Sequence, residues 1–186
     1  MSSPQPPRFD GQRWSNADDD RIEVLPADPA WPQHFAAEAE AIRTALALPG
    51  LGIEHVGSTA VPGLDAKPII DILLLPPPGH DPQRLVAPLE GLGYQFWREN
   101  PNTQRMFFVK GMPPFGHGRT HHVHVMPLAQ ADRYLLFRDW LRNHPDDARL
   151  YAETKHAWPA ATPPTARPIL CLLYTSLSGL ARQTVA

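Results

Sequence analysis

Apolar residues change their spacing several times along this chain, and each change marks a new element. From Trp31 they recur at three- and four-residue intervals through Phe35, Ala39, Ile42 and Leu46. That stripe predicts a core-facing helix, capped by Asp28, running to about Leu48 and stopped by Pro49-Gly50. Ahead of it, residues 21–25 read as a short extended stretch ended by Pro26. Residues 53–57 read as a strand feeding a loop, 58–68, that carries Pro62, Gly63 and Pro68. The next run, 69–75, is continuous, β-branched and leucine-rich, bounded by Pro68 and Pro76-Pro77-Pro78. Such a run predicts a strand buried on both faces, and it holds one acid, Asp71.

Residues 83–92 predict a second helix, ended by Gly93. Three further strands are expected at 94–98, 106–110 and 122–126, the last pair joined by the glycine- and proline-rich loop 111–118. Within 122–126 polar and apolar residues alternate, so His122 and His124 share one face and Val123 and Val125 the other. A third helix spans 131–143, with Tyr134, Phe137 and Leu141 on its core stripe and Arg138, Asp139 and Arg142 opposite. A fourth spans 146 to about 158, its start marked by Pro145 and two acids. Helix, two strands, helix, three strands, two helices: this order predicts an α+β fold, a mixed sheet of about five strands packed with helices.

The length of 186 residues fits one domain and buries enough surface to fold without staples. Residues 1–20 hold three prolines and an acidic run with no apolar period, and read as a disordered tail. The domain is expected over 21–155. From His156 the character changes, with four prolines in ten residues and the hexapeptide Cys171-Leu172-Leu173-Tyr174-Thr175-Ser176. One reading frame of a library-preparation transposon end encodes that hexapeptide, so 156–186 reads as atypical, out of frame or foreign. One cysteine excludes an internal disulfide, no window suits a membrane span, and the N-terminus lacks a secretory apolar core. A cytoplasmic location is expected. Lys+Arg of 17 against Asp+Glu of 19 gives a net charge of −2, which argues against long nucleic acid and leaves small phosphorylated ligands open.

The chemistry concentrates in Glu54-His55-Val56-Gly57-Ser58-Thr59 and in Asp71. A glycine and a small hydroxyl residue after a strand let backbone N–H groups approach a phosphate closely; the plain alternative is a tight turn. An acid inside an apolar strand is costly unless it holds a cation, and Mg²⁺ takes carboxylates together with phosphates. Lys67 could place a positive charge on a phosphate tail. His122 and His124 read as metal ligands, a proton-transfer pair or two hydrogen-bonded sheet histidines. His55, beside the turn, is a further candidate. His121 reads as surface, Glu54 as solvated or paired, and Arg105, Lys110 and Arg119 as solvated basic residues or phosphate contacts.

The text EHVGSTAVPGLDAKPIIDILL, followed by HHVHV and FRDWLRNHP, resembles the GrpB family of the nucleotidyltransferase superfamily. The resemblance covers residues 21–155. It implies a nucleotidyltransferase-like fold that binds a nucleoside triphosphate or related ligand with Mg²⁺ or Mn²⁺, and transfer of a nucleotidyl group to an acceptor. It also implies site residues. Gly57, Ser58, Thr59, Lys67 and Arg138 would bind the ligand, Asp71 with His122 and His124 would be catalytic, and Asp71 and His124 would hold the metal. The superfamily's second acid, two positions after the first, is Leu73 here. That departure leaves two alternatives open: an inactive binding or chaperone-like module with a protein partner, and a metal-dependent hydrolase.

Overall fold

Helix α1 (Trp31–Leu46) turns the predicted stripe inward, burying Trp31, Ala39 and Ile42. It belongs to a computed structural model that describes residues 24–157, except 101 and 113–117. The tail expected at 1–20 lies outside these residues, as do positions 21–23 of the first extended stretch and all of the tail expected at 156–186 except His156 and Ala157, which end a helix. Asp28 closes the turn before α1 and does not cap it directly. Its carboxylate accepts the Ala30 N–H at 2.8 Å, and its carbonyl accepts the Trp31 N–H. The helix stops short of Pro49-Gly50 because Ala47 swings to a left-handed φ of 43°.

The remaining elements are β1 (Gly52–Val56), β2 (Ile70–Leu75), α2 (Val86–Gly91), β3 (Tyr94–Phe96), β4 (Met106–Lys110), β5 (His121–Val125), α3 (Asp132–Asn143) and α4 (Pro145–Ala157). Single 3-10 turns stand at Ser58–Ala60, Pro82–Leu85 and Leu128–Gln130. The second predicted helix is therefore split, a 3-10 turn capped by Asp81 running into the short α2. Leu25 pairs with Ala66 as an isolated bridge, tying the start of the described chain to the loop before β2.

Among the described residues the strands form one sheet in the order β1-β2-β5-β4-β3. β2 runs parallel to β5 and the other pairs are antiparallel, so the sheet is mixed, as expected. One face carries Ile70, Ile72, Leu74, Phe108, Val123 and Val125 into the main core with Trp31, Ile42, Leu85 and Leu89. The other carries Asp71, Leu73, His122 and His124, and α3 covers it only in part. Leu73 packs there with Val56, Met126 and Ala131, while Phe137 and Leu141 of α3 meet Tyr151 of α4, Val61 and Leu64. β2, the strand expected to be buried on both faces, has a core on each side. No helix among the described residues is long and apolar enough to cross a membrane.

Ile72 is fully buried in the main core. Ile72→Ala should lower unfolding stability by about 2–5 kcal/mol, read from urea denaturation, because a packed strand centre cannot collapse around the lost methyl groups.

Candidate active site

Asp71 sits in the middle of the sheet, and the pairing of β2 with β5 decides its neighbours. Asp71 lies opposite His122 and Leu73 opposite His124, and strand alternation turns all four to the partly covered face. His122 Nδ1 and His124 Nε2 come to 3.1 and 3.4 Å from the same carboxylate oxygen, Asp71 Oδ1. Burial pushes the Asp71 carboxyl up, but hydrogen bonds from the His122 and His124 rings outweigh it and hold the group below the ordinary carboxylate range. Burial also lowers His124, against the pull of Asp71. The centre is an anionic carboxylate accepting from a neutral His124. Arg105 donates to His124 Nδ1 and to the Tyr134 hydroxyl at 3.0 Å. A guanidinium has only donors, so the His124 proton sits on Nε2 and faces Asp71. The Phe107 ring lies 5.0 Å from each histidine ring and packs beneath both.

The Gly57-Ser58 turn presses directly against this acid. Gly57 has φ 73°, and a Cβ there would stand 2.5 Å from Asp71 Oδ2. The glycine is thus required twice, by its backbone conformation and by the approach of the carboxylate. Beside it, Lys155 Nζ donates to Ser58 Oγ at 3.1 Å and to the Asp65 carbonyl. Burial lowers the Lys155 ammonium to about 8, with Asp65 opposing. The Tyr151 hydroxyl also meets Ser58. These parts enclose a hollow of about 200 Å³ lined by Gly57, Ser58, Asp71 and His124, with Tyr134, Phe137 and Tyr151 forming its aromatic wall.

The other expected residues lie elsewhere. Thr59 is buried, donating to the Ile69 carbonyl at 3.2 Å and accepting from His55 at 3.1 Å; it braces the turn from behind. His55 lies on the face opposite Asp71, stacked on Phe35 with ring centroids 4.6 Å apart. Lys67 is half-buried ahead of β2 and is not part of the hollow's lining. His122 is not part of the hollow's lining, and its Nε2 is buried without a hydrogen-bond partner. Arg138 and Arg142, on the stripe of α3 opposite its core residues, turn to the end of β1 and the turn after it. Arg138 donates to Glu54 at 2.8 Å and to the His55 carbonyl at 3.0 Å, and it holds Asp139 at 2.7 Å. Arg142 donates to the Ala60 carbonyl at 2.9 Å. Backbone carbonyls around the end of β1 lack strand partners, and these guanidinium groups supply the donors. His121 is half-buried and lowered, by burial first, near Glu38 and Lys110, while Lys110 pairs with Glu38 at 2.7 Å.

Sequence reasoning missed Lys155, Tyr151 and the contact of Arg105 with His124. One signal for the first two was available, since residues four apart on a helix share a face. Nothing local marks Arg105, which precedes β4 and meets His124 only through the β4–β5 pairing.

The sequence matches the family described as GrpB protein over residues 21–167. The chain belongs to the GrpB family. It is 41% identical over 142 residues to a UPF0157 protein of Halalkalibacterium halodurans, covering 74% of this chain and 71% of that one. The crystal structure of conserved protein GrpB from Enterococcus faecalis overlays with a TM-score of 0.75 at 30% identity, over 88% of this chain and 99% of that one. The Cid1 poly(U) polymerase, solved with MgGTP bound, overlays with a TM-score of 0.53 at 14% identity, over 71% of this chain and 43% of that one. That likeness is one of fold, and the GrpB fold here is nucleotidyltransferase-like.

Gly57→Ala should cost about 1–3 kcal/mol in urea denaturation, because the new methyl group meets Asp71 in a strained conformation. A second outcome concerns His55, whose pKa falls from 6.5 to about 4 through burial, with Arg142 and Arg138 adding to it against Asp71. The unfolded chain takes up this proton first, so stability is intact above pH 6.5 and declines as pH falls towards 4. His55 contributes up to about 3 kcal/mol to that decline. Comparing His55→Gln with the wild type by denaturation at several pH values isolates it; the variant should show the shallower slope.

Proposed function

We propose that this protein binds a nucleoside triphosphate or related phosphorylated ligand with a divalent cation, Mg²⁺ or Mn²⁺, and transfers a nucleotidyl group to an acceptor. One observation carries the reading: the Gly57-Ser58 turn and the Asp71 cluster meet around a single hollow on a nucleotidyltransferase-like fold. The nucleotide-bound state of the Cid1 polymerase supports the ligand class.

Ser58 Oγ and the Lys155 ammonium would hold phosphate oxygens at the rim, with Lys155 filling the place first considered for Lys67. Arg138 would act on the ligand through the end of β1, which it clamps. The cation, held by Asp71 with His124 and His122, would neutralise charge on the phosphates. In the transfer, an acceptor oxygen bonds to the α-phosphorus, the bond from that phosphorus to the β-phosphate oxygen breaks, and pyrophosphate leaves. The acceptor's proton would pass to water, or to whichever of His122 and His124 does not ligate the cation. The hollow is smaller than the roughly 300–1,000 Å³ of a drug-sized pocket, so the base would rest outside it. A cytoplasmic location suits such a ligand.

A thermal-shift screen of the full chain against ATP, GTP, CTP and UTP, with Mg²⁺ or Mn²⁺, tests this. Ligand at 100 times its dissociation constant should add about 2.7 kcal/mol, a readable rise in melting temperature. Asp71→Asn should abolish a metal-dependent rise. A folded protein that no nucleotide stabilises would overturn the reading.

A further inference from the structure

We propose that Asp71, His122 and His124 form a three-ligand site for a single transition-metal ion, of the series from Mn²⁺ to Zn²⁺, in preference to magnesium. The inference deepens the cation assignment above and rests on that reading only for the place of the site.

The donor set comes first. One carboxylate oxygen and two imidazole nitrogens, all within 4.8 Å of one another, converge from two adjacent strands. Magnesium takes oxygen donors and keeps its waters. Imidazole suits zinc, iron and nickel, and affinity for such ligands rises from manganese towards copper. Residue 73, where a second carboxylate would favour a magnesium pair, is a leucine with no solvent exposure, packed against Val56 and Met126. A second ion would meet a hydrocarbon wall there.

Distances agree with the donor set. Metal–ligand bonds of about 2.1 Å place neighbouring ligands roughly 3.0–3.4 Å apart in octahedral or tetrahedral shells. The two oxygen-to-nitrogen separations are 3.1 and 3.4 Å. The third edge, between the two rings, is longer, and rotation about the histidine side chains closes it. The backbone beneath is fixed by the β2–β5 ladder. Three protein ligands leave coordination positions open, and Asp71 and His124 present theirs to the hollow beside Ser58.

One residue opposes loading. Arg105 places the His124 proton on Nε2, the nitrogen that faces Asp71. Metal at Nε2 requires that proton on Nδ1, with Arg105 withdrawn to the Tyr134 hydroxyl it already reaches at 3.0 Å. A glutamine in its place offers a carbonyl to accept the Nδ1–H, the partner that metal-bound histidines ordinarily have.

The test titrates EDTA-stripped full-length protein with Co²⁺ alone, reading the visible absorption of histidine-bound cobalt, then adds competitors. One equivalent should bind. Zn²⁺ should displace it, Mn²⁺ should compete weakly and excess Mg²⁺ should leave it in place. His122→Ala and His124→Ala, each shown folded by circular dichroism, should weaken binding by about tenfold or more, and Arg105→Gln should tighten it by a comparable factor. A folded protein with no cobalt band overturns the proposal. So does binding that His122→Ala leaves unchanged, or Co²⁺ displaced equally well by Mg²⁺. Because no nucleotide is present, the two readings fail separately. A protein that takes Co²⁺ but ignores nucleotides keeps this site and loses the transferase reading, whereas one stabilised by nucleotides yet blind to Co²⁺ does the reverse.

Discussion

A carboxylate at the centre of an apolar sheet must be compensated where it stands, because burial of an unpaired charge costs more than a domain of this size can absorb. Asp71 meets that requirement through His122 and His124, whose ring nitrogens converge on one of its oxygens. The compensation depends on sheet register. If β5 slipped by one residue along β2, both histidines would turn to the opposite face and Val123 and Val125 would replace them. Register, the acid and the two histidines are therefore one device, and the remaining features of the site are arranged around it.

The glycine turn is the second part of that device. Gly57 is held so close to Asp71 that no side chain fits between them, which brings Ser58 to the edge of the acid's surroundings. α4 then adds Lys155 and Tyr151 beside Ser58. α3 ties the end of β1 through Arg138 and the following turn through Arg142. The net charge is −2, yet cationic groups gather around this rim.

Much of this architecture was legible in the chain. Three- and four-residue spacing located α1 and α3, and the apolar run between prolines located β2, because these periods are imposed by backbone geometry. The boundaries were less legible. α1 ends at a left-handed alanine and α2 begins through a 3-10 turn, choices made by packing and not by propensity. Arg138 and Arg142 were placed on the helical stripe opposite the core, a face that ordinarily meets water or a ligand. Here that face meets carbonyl groups left over from another element, which no helical periodicity can reveal.

By itself the sequence determined the α+β class, the acid inside a buried strand, the glycine-serine turn and the two histidines sharing a face, since each follows from local spacing and residue chemistry. Only the tertiary structure decided that the acid, the turn and the two histidines meet in one place and that His55, adjacent to the turn in the chain, belongs to the opposite side of the sheet. It alone brought Lys155 to Ser58 across 97 positions and Arg105 to His124 across a strand pairing. The physical reason is that strand alternation fixes which residues share a face, while long-range pairing fixes which faces meet.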